Sequence, residues 1–446
     1  MRALLVLLAG LMGPGVARAT PEISGYLNVF DYLDHSGLLG EAGIVDATEK
    51  PLVRQARSGF RTQLQLDGRP SDAVSYLIRL NFEYDSRAAT RDPTATAEDG
   101  FRVFPREAYV DLNSLGPLDL RLGRQYLFWG RFEWGGLLDL LAPWDFSAIA
   151  AEKENFRLAV DAVDARLYLG NFVLEAAVLT NFQPNRVSLA IPEQVGPFRA
   201  ELRPANLPGH RISELETAVR ARYEGPSFFA ALDYYRGHNR LLSMHTEAVG
   251  EGIAIEAVGE GIAIEALHFT PEYHPLQVVG VELEWLLASL AIKLEAGYSH
   301  TDDPQGTDIE VGNRNLAAMI GASWAAAAGL TLDVQYGQTH LLDYDRQAEY
   351  LARKLAGEPD PYVSRTVKHR IVSRVRYEFT DTLRWQAMAM TNAPDTNLLG
   401  LTFIAWDLRP ETRLYCGSIL FTGPEGTPFG RLEGESRFFM ELKVAL

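Results

Sequence analysis

The last ten residues, Arg437 to Leu446, restrict the fold more than any other segment. Phe438, Met440, Leu442, Val444 and Leu446 share one face, with Glu441 and Lys443 on the other. Side chains alternate across a strand, so this stretch has a greasy side and a polar side. Such a strand suits a wall with lipid outside and water inside. The pattern predicts Leu442 and Val444 toward lipid, and Glu441 and Lys443 toward a lumen.

The start of the chain fits the same picture. Met1-Arg2 is a minimal charged region, Ala3 to Val16 is apolar, and Ala17-Arg18-Ala19 has the small-x-small form of a cleavage site. Residues 1–19 read as a signal peptide and 20–446 as the mature barrel, beginning at Thr20. The apolar run falls short of the roughly 20 residues that a membrane helix needs. No cysteine lies near the cleavage site, which speaks against lipoprotein processing. Together the two ends predict export to the outer membrane of a Gram-negative cell. The partners this implies are outer-membrane lipid and lipopolysaccharide, with the barrel assembly machinery for insertion.

Composition removes other classes. After Thr20 no run of eighteen apolar residues occurs, so no helical span is expected. The net charge is −16, the wrong sign for a nucleic-acid binder. Cys416 is the only cysteine, so no internal disulfide and no c-type haem attachment can form. Aromatic content is 10% and mean hydropathy is −0.08, as expected where apolar and polar positions alternate.

Eighteen segments read as strands: 23–33, 58–67, 74–85, 104–113, 117–127, 159–169, 171–182, 213–224, 227–236, 277–287, 289–301, 314–325, 329–341, 367–379, 382–392, 397–408, 411–421 and 435–446. Their connections alternate in length. Those at 34–57, 86–103, 128–158, 183–212, 237–276, 302–313, 342–366 and 422–434 are long, with 393–396 the exception; those such as 225–226 and 380–381 are tight. Long on the outer side and short on the periplasmic side is the asymmetry of an outer-membrane barrel. Outward Tyr76, Trp285, Trp324, Tyr377, Phe379 and Trp385 would form a periplasmic girdle. Phe82, Tyr84, Tyr298, Tyr336 and Phe438 would form an outer one. A soluble all-β protein would alternate too, but predicts neither girdles nor loop asymmetry. The expected fold is all-β: a transmembrane antiparallel β-barrel of about eighteen strands.

A lumen that wide stays aqueous unless something enters it. The connection 128–158 is rich in Trp and Leu, which are costly in an exposed loop. It is expected to fold inward over 131–146, with burial under neighbouring outer loops as the alternative. Arg131, Glu133, Trp134, Asp139 and Asp145 are the candidate constriction residues. Gly-Arg-Gln at 123–125, then Trp129-Gly130 and Pro143-Trp144-Asp145, resembles a group of proteobacterial outer-membrane porin-like proteins of undefined function. Similar Gly-Arg-Gln strand ends occur in alginate-export and substrate-specific porins. The resemblance covers about 118–182. It implies a single-chain barrel with a loop-narrowed pore and fixes no substrate. Leu446 departs from the terminal Phe common in such barrels. Alternation from Leu118, Leu120 and Leu122 aims Arg124 at lipid, and a bulge at Gly123 would turn it inward.

Two charged sectors stand out on the inward rows. Arg370, Arg374, Arg376, Arg384 and Arg413 form a basic one. Glu83, Asp85, Glu107, Asp111 and Glu175, with Asp119 and Asp164, form an acidic one interrupted by Arg79, Arg121 and Arg166. Opposed walls would set a field across the pore; local cross-strand pairing would instead only solvate the lumen. The nonapeptide Glu-Ala-Val-Gly-Glu-Gly-Ile-Ala-Ile occurs at 247–255 and again at 256–264, a local duplication or an added hairpin above the rim.

No catalytic motif is present, so no enzyme activity and no cofactor are expected. His210, His238 and His245 could meet a metal, but loop histidines at such spacing are usually just solvated, so no metal site is expected. The expected function is passive diffusion of small hydrophilic or amphiphilic solutes. Two alternatives are a barrel sheath around a periplasmic multihaem cytochrome, which needs an open lumen, and export of an anionic polysaccharide, which needs a continuous basic one.

Overall fold

The computed structural model describes residues 21–34, 54–86, 100–145, 152, 156–186, 194–195, 198–209, 211–249, 266–308, 310–326, 329–355, 362–393, 395–424 and 427–446. The signal segment, His210 and residues 250–265 of the duplicated stretch lie outside them.

The first half supplies β1 (Glu22–Asp34), β2 (Arg54–Ser71), β3 (Val74–Asp85), β4 (Phe101–Leu115), β5 (Leu118–Gln125), β6 (Val160–Leu169) and β7 (Phe172–Leu179). Two short strands follow, β8 (Gln194–Val195) and β9 (Phe198–Leu202), then β10 (Glu216–Glu224) and β11 (Phe228–His238). Another outlying pair is β12 (Ser243–Val249) and β13 (Ala266–Glu272). The wall resumes with β14 (Pro275–Leu287), β15 (Leu290–Thr301), β16 (Asn315–Ala325) and β17 (Leu330–Leu341). Helix α1 (Arg346–Leu355) leads to β18 (Val367–Glu378), β19 (Leu383–Ala393), β20 (Asn397–Arg409), β21 (Thr412–Thr422) and β22 (Arg437–Ala445).

Eighteen of these strands make one antiparallel sheet. It closes because β1 pairs with β2 on one side and with β22 on the other, from Tyr26↔Ala445 to Asp34↔Arg437. Closure leaves no strand edge, as a sheet in lipid requires. Each of the eighteen expected segments is found, with ends shifted by a few residues. Alternation holds on β22: Leu442 is 37% exposed on the outside, whereas Glu441 is 1% exposed inside, bonded to Asn28 (3.0 Å) and Tyr32 (3.0 Å). Lys443 also points inward and pairs with Glu152 at 2.7 Å.

The girdle near the tight-turn rim is continuous where β7, β10, β11 and β14 meet. Phe172 touches Tyr223 at 5.2 Å, Tyr223 touches Phe228 at 6.3 Å, and Phe228 touches Trp285 at 5.4 Å. Edge and tilted ring contacts of this kind anchor a barrel at the headgroup level.

Three features differ from the sequence reading. The strands β8, β9, β12 and β13 form a separate four-stranded sheet, order β12-β13-β9-β8, built from two long connections on one rim. The hairpin β12/β13 brackets the duplication, pairing Val249 with Ala266. The connection expected as loop at 342–366 holds α1, capped by Asp345 Oδ1, which accepts from the Gln347 and Ala348 amides (2.9 and 3.0 Å). Finally, Gly123 does adopt a positive φ of 126°, yet Arg124 stays on the outward row and pairs with Asp161 at 3.3 Å. Register is unbroken through Gly123↔Ala162 and Arg124↔Asp161, so parity is kept and the side chain does not turn in.

Candidate functional site: the loop-crossed lumen

The connection from β5 to β6 enters the barrel. Its path is fixed by carboxylates on the inward rows of distant strands. Glu295 on β15 accepts the Leu137 (2.7 Å), Phe132 (3.2 Å) and Leu138 (3.3 Å) amides, and that of Arg131. Glu282 on β14 accepts the Gly130 amide at 3.0 Å and also pairs with Arg220. Trp129 donates Nε1–H to Glu175 at 3.3 Å, and Arg220 lies 4.5 Å from the Trp129 ring centre. A buried carboxylate is tolerable when several donors surround it, and those donors are otherwise unpaired loop amides.

Packing does the rest. Leu138 and Leu141 join Leu127, Val160, Leu179 and Tyr235 in one buried cluster. Trp134 and Phe156 join Phe30, Met390, Leu401 and Phe439 in a second, across β18 to β22 and β1. The loop therefore bridges two sides of the lumen. The wall is hollowed to receive it: a Cβ on Gly280 would sit 2.3 Å from Leu138 Cδ2, and one on Gly321 would sit 2.6 Å from Phe132 Cε1.

The five candidate constriction residues divide. Arg131 and Glu133 keep about a third of their side chains exposed; Arg131 pairs with Glu284 and Glu133 with Arg374. Trp134 and Asp145 are buried and Asp139 is partly so, and all three hold the loop. Trp134 is 7% exposed and sits 5.5 Å from Phe156. Asp139 clamps Arg157 (2.5 and 2.6 Å), whose guanidinium lies 4.0 Å from the Trp144 ring centre. Asp145 pairs with Arg186 at 3.3 Å. At Trp134, Asp139 and Asp145 the loop thus turns its apolar and ion-paired side to the wall.

The acidic sector is paired locally. Glu83 holds Arg61 (2.5 Å) and Arg102 (3.3 Å), Glu107 holds Arg79, and Asp111 holds Arg121 (2.6 Å). Glu175 takes Arg222 and Arg166 (3.7 Å), and Asp164 takes Arg166 (2.6 Å). Asp85 is buried at the end of β3. Of the two readings of the charged rows, cross-strand neutralisation describes this side.

The basic sector is paired only in part. Arg374 binds Asp333 (2.9 Å) and Glu133; Arg384 (2.8 Å) and Arg413 (3.1 Å) share Asp407. Arg370 has Asn392 (3.3 Å) but no carboxylate partner among the described residues, and Arg376 is exposed and likewise without one. Lys368 continues the row above Arg370. Residues 368, 370, 374 and 376 descend one strand on its inner face, with two-residue steps of about 6.8 Å. Lys368, Lys293 and the anchors Glu282 and Glu295 were not singled out from sequence, although the same period-2 rows carry them.

A closed eighteen-stranded barrel narrowed by an inward loop has the architecture of porin-type outer-membrane proteins. Among solved structures the chain is similar in fold to Pseudomonas aeruginosa OccK8 (OprE), at TM-score 0.53 and 11% identity, covering 95% of this chain and 97% of that one. It is likewise similar to Acinetobacter baumannii OccAB1 (TM-score 0.52, 10% identity, 98% of each chain) and to Pseudomonas aeruginosa OpdQ (0.52, 9%, 96% and 97%). No family model matches the chain, and no curated protein matches it in sequence.

Proposed function

We propose that this barrel is a passive diffusion channel for small hydrophilic or amphiphilic solutes in the outer membrane, and that it passes anions more readily than cations. The observation that carries the second half is the asymmetry of pairing. Glu83, Glu107, Asp111, Asp164 and Glu175 on β3 to β7 are neutralised by neighbouring arginines, whereas Arg370 and Arg376 on the inward row of β18 have no carboxylate partner among the described residues. Guanidinium stays charged at any working pH. In a narrowed, partly desolvated space its attraction for an anion exceeds that in bulk water.

The loop across the lumen opposes the cytochrome-sheath reading, which needs an open bore. The paired acids on the far wall oppose a continuous basic conduit for an anionic polysaccharide. A signal peptide ending at Ala19, delivery by the barrel assembly machinery and any periplasmic partner belong to the same proposal.

The test is single-channel recording in planar bilayers with a salt gradient. The native barrel is expected to conduct, with a reversal potential on the anion-preferring side. Arg370→Gln with Arg376→Gln should move it toward cation preference, most clearly at low salt, where the Debye length is long. A folded, inserted double variant with an unchanged reversal potential would remove the anion preference from the proposal. A native barrel that does not conduct would remove the channel.

A further inference from the structure

Beneath the start of the inward loop, two acids share one guanidinium. Arg220 on β10 donates Nε–H to Asp233 of β11 at 2.6 Å and Nη2–H to Glu282 of β14. Those two N–H bonds are parallel prongs of one fork, a shape that fits both oxygens of a single carboxylate. Here each prong takes a different acid. The two carboxyl groups are therefore held side by side, with Glu282 in hydrogen-bonding reach of Asp233. Asp233 Oδ2 and Glu282 Oε2 are both buried, and neither has a donor among the described residues. The site is dry. Asp233 is 4% exposed and Glu282 0%, and Leu138 covers Gly280, the register neighbour of Asp233.

The charges around the pair do not balance it. Arg222 on β10 is held by Glu175 and Glu224, and Arg131 of the loop and Lys293 on β15 go to Glu284. Glu295, opposite Glu282 in register, is a further acid and is engaged by loop amides. Tyr235, the next inward residue on β11, donates to Glu216. That leaves Arg220 as the cation for two buried carboxylates. Two like charges on one fork cannot both ionise without a large penalty, and a proton between them removes it. We propose that Asp233 and Glu282 share one proton, and that this proton keeps the start of the loop in its seat. With it the pair carries one negative charge, which Arg220 balances. Glu282 then stays in place to accept the Gly130 amide at 3.0 Å, and Arg220 stays against Trp129. When the proton leaves for solvent, one carboxylate turns from the fork toward water, and Trp129 and Gly130 lose their holds. Asp233 is thus a positioning residue that acts through Glu282. The seated loop binds one proton more than the loosened loop, so raising the pH favours the loosened state.

The test is hydrogen exchange at residues 129–132 of the full barrel in detergent, corrected for intrinsic exchange, beside infrared spectra of the carboxyl region. Protection in the native barrel should fall as pH rises, by up to about tenfold per pH unit, the slope that one proton allows. A protonated-carboxyl band should fade over the same range. Asp233→Asn and Glu282→Gln each imitate the protonated member and have no proton to lose. Each should keep the protection seen at low pH, hold it flat with pH, and weaken the band. Heat-modifiable migration shows whether each variant is folded. A flat profile in the native barrel, or an unchanged slope or undiminished band in either folded variant, overturns the shared proton. If neither variant folds, the native barrel decides: a falling profile with a fading band supports the pair, and a flat profile or a missing band overturns it. Neither readout needs an open channel, so a barrel that fails to conduct leaves this test intact.

Discussion

Leu138 occupies the space that a side chain on Gly280 would need: a Cβ there would lie 2.3 Å from its Cδ2. A residue of the inward loop and one of the wall 142 positions away along the chain are thus shaped for each other. Gly280→Val should overpack this contact at a cost of about 1–3 kcal/mol. The loop is expected to lift, and single-channel conductance to rise, while the barrel stays folded. Adding Leu138→Ala should return much of the lost thermal stability. Unaltered conductance in the single variant would show that the loop accommodates the side chain in place.

Glu295 is the second hold on the loop. Glu295→Ala leaves four amides of 131–138 without their acceptor. Each buried donor so stranded costs about 1–3 kcal/mol. The expected result is greater open-channel noise and protease cleavage within the loop, read by gel and by recordings on the same preparation. A quiet, uncleaved variant would mean that packing alone holds the loop.

Removing residues 134–142 takes away Trp134, Leu138 and Leu141, which lie in both apolar clusters. Conductance should increase more than in either point variant. An inserted deletion protein with native conductance would count against the loop as the narrowing element.

Selectivity should respond in opposite directions to two substitutions on the basic side. Arg374→Gln leaves Asp333 and Glu133 without that cation and should move the reversal potential toward cations. Asp407→Asn frees Arg384 and Arg413 and should move it toward anions. Raising salt should shrink both shifts. Shifts of the same sign would show that bulk and not charge is being read.

Outside the membrane, His245 of β12 meets Glu310 at 2.8 Å and ties the outlying sheet to the connection after β15. The hydrogen bond and charge of Glu310 raise the imidazole above its ordinary value. A raised histidine stabilises the folded contact fully below its unfolded value, and the contribution is lost as pH climbs through the folded one. Protection of the 243–249 amides, corrected for intrinsic exchange, should therefore be greatest below the ordinary histidine value and fall as pH rises above it. His245→Gln should abolish that pH dependence.

The sequence by itself determined the wall. Period-2 alternation needs only neighbours along the chain, so strand number, facing and the two rims were legible in residues such as Phe438 to Leu446. The density of Trp and Leu after β5 likewise foretold a buried loop. What tertiary structure decided was partnership. Glu133 finds Arg374, Arg131 finds Glu284, and Glu295 gathers four amides from a loop more than 150 residues away. Those pairings depend on which strands closure sets across the lumen, which no local pattern encodes. They separate Arg370, set against the loop at Gly135 and Asn392, and exposed Arg376, neither with a carboxylate partner among the described residues, from Arg384 and Arg413, held by Asp407, although alternation put all four on one face. Arg124 shows the converse: a glycine suggested a bulge, but register with β6 kept the side chain outside beside Asp161. Parity is local and can be read along the chain; compensation of charge is long-range and is fixed only when the barrel closes.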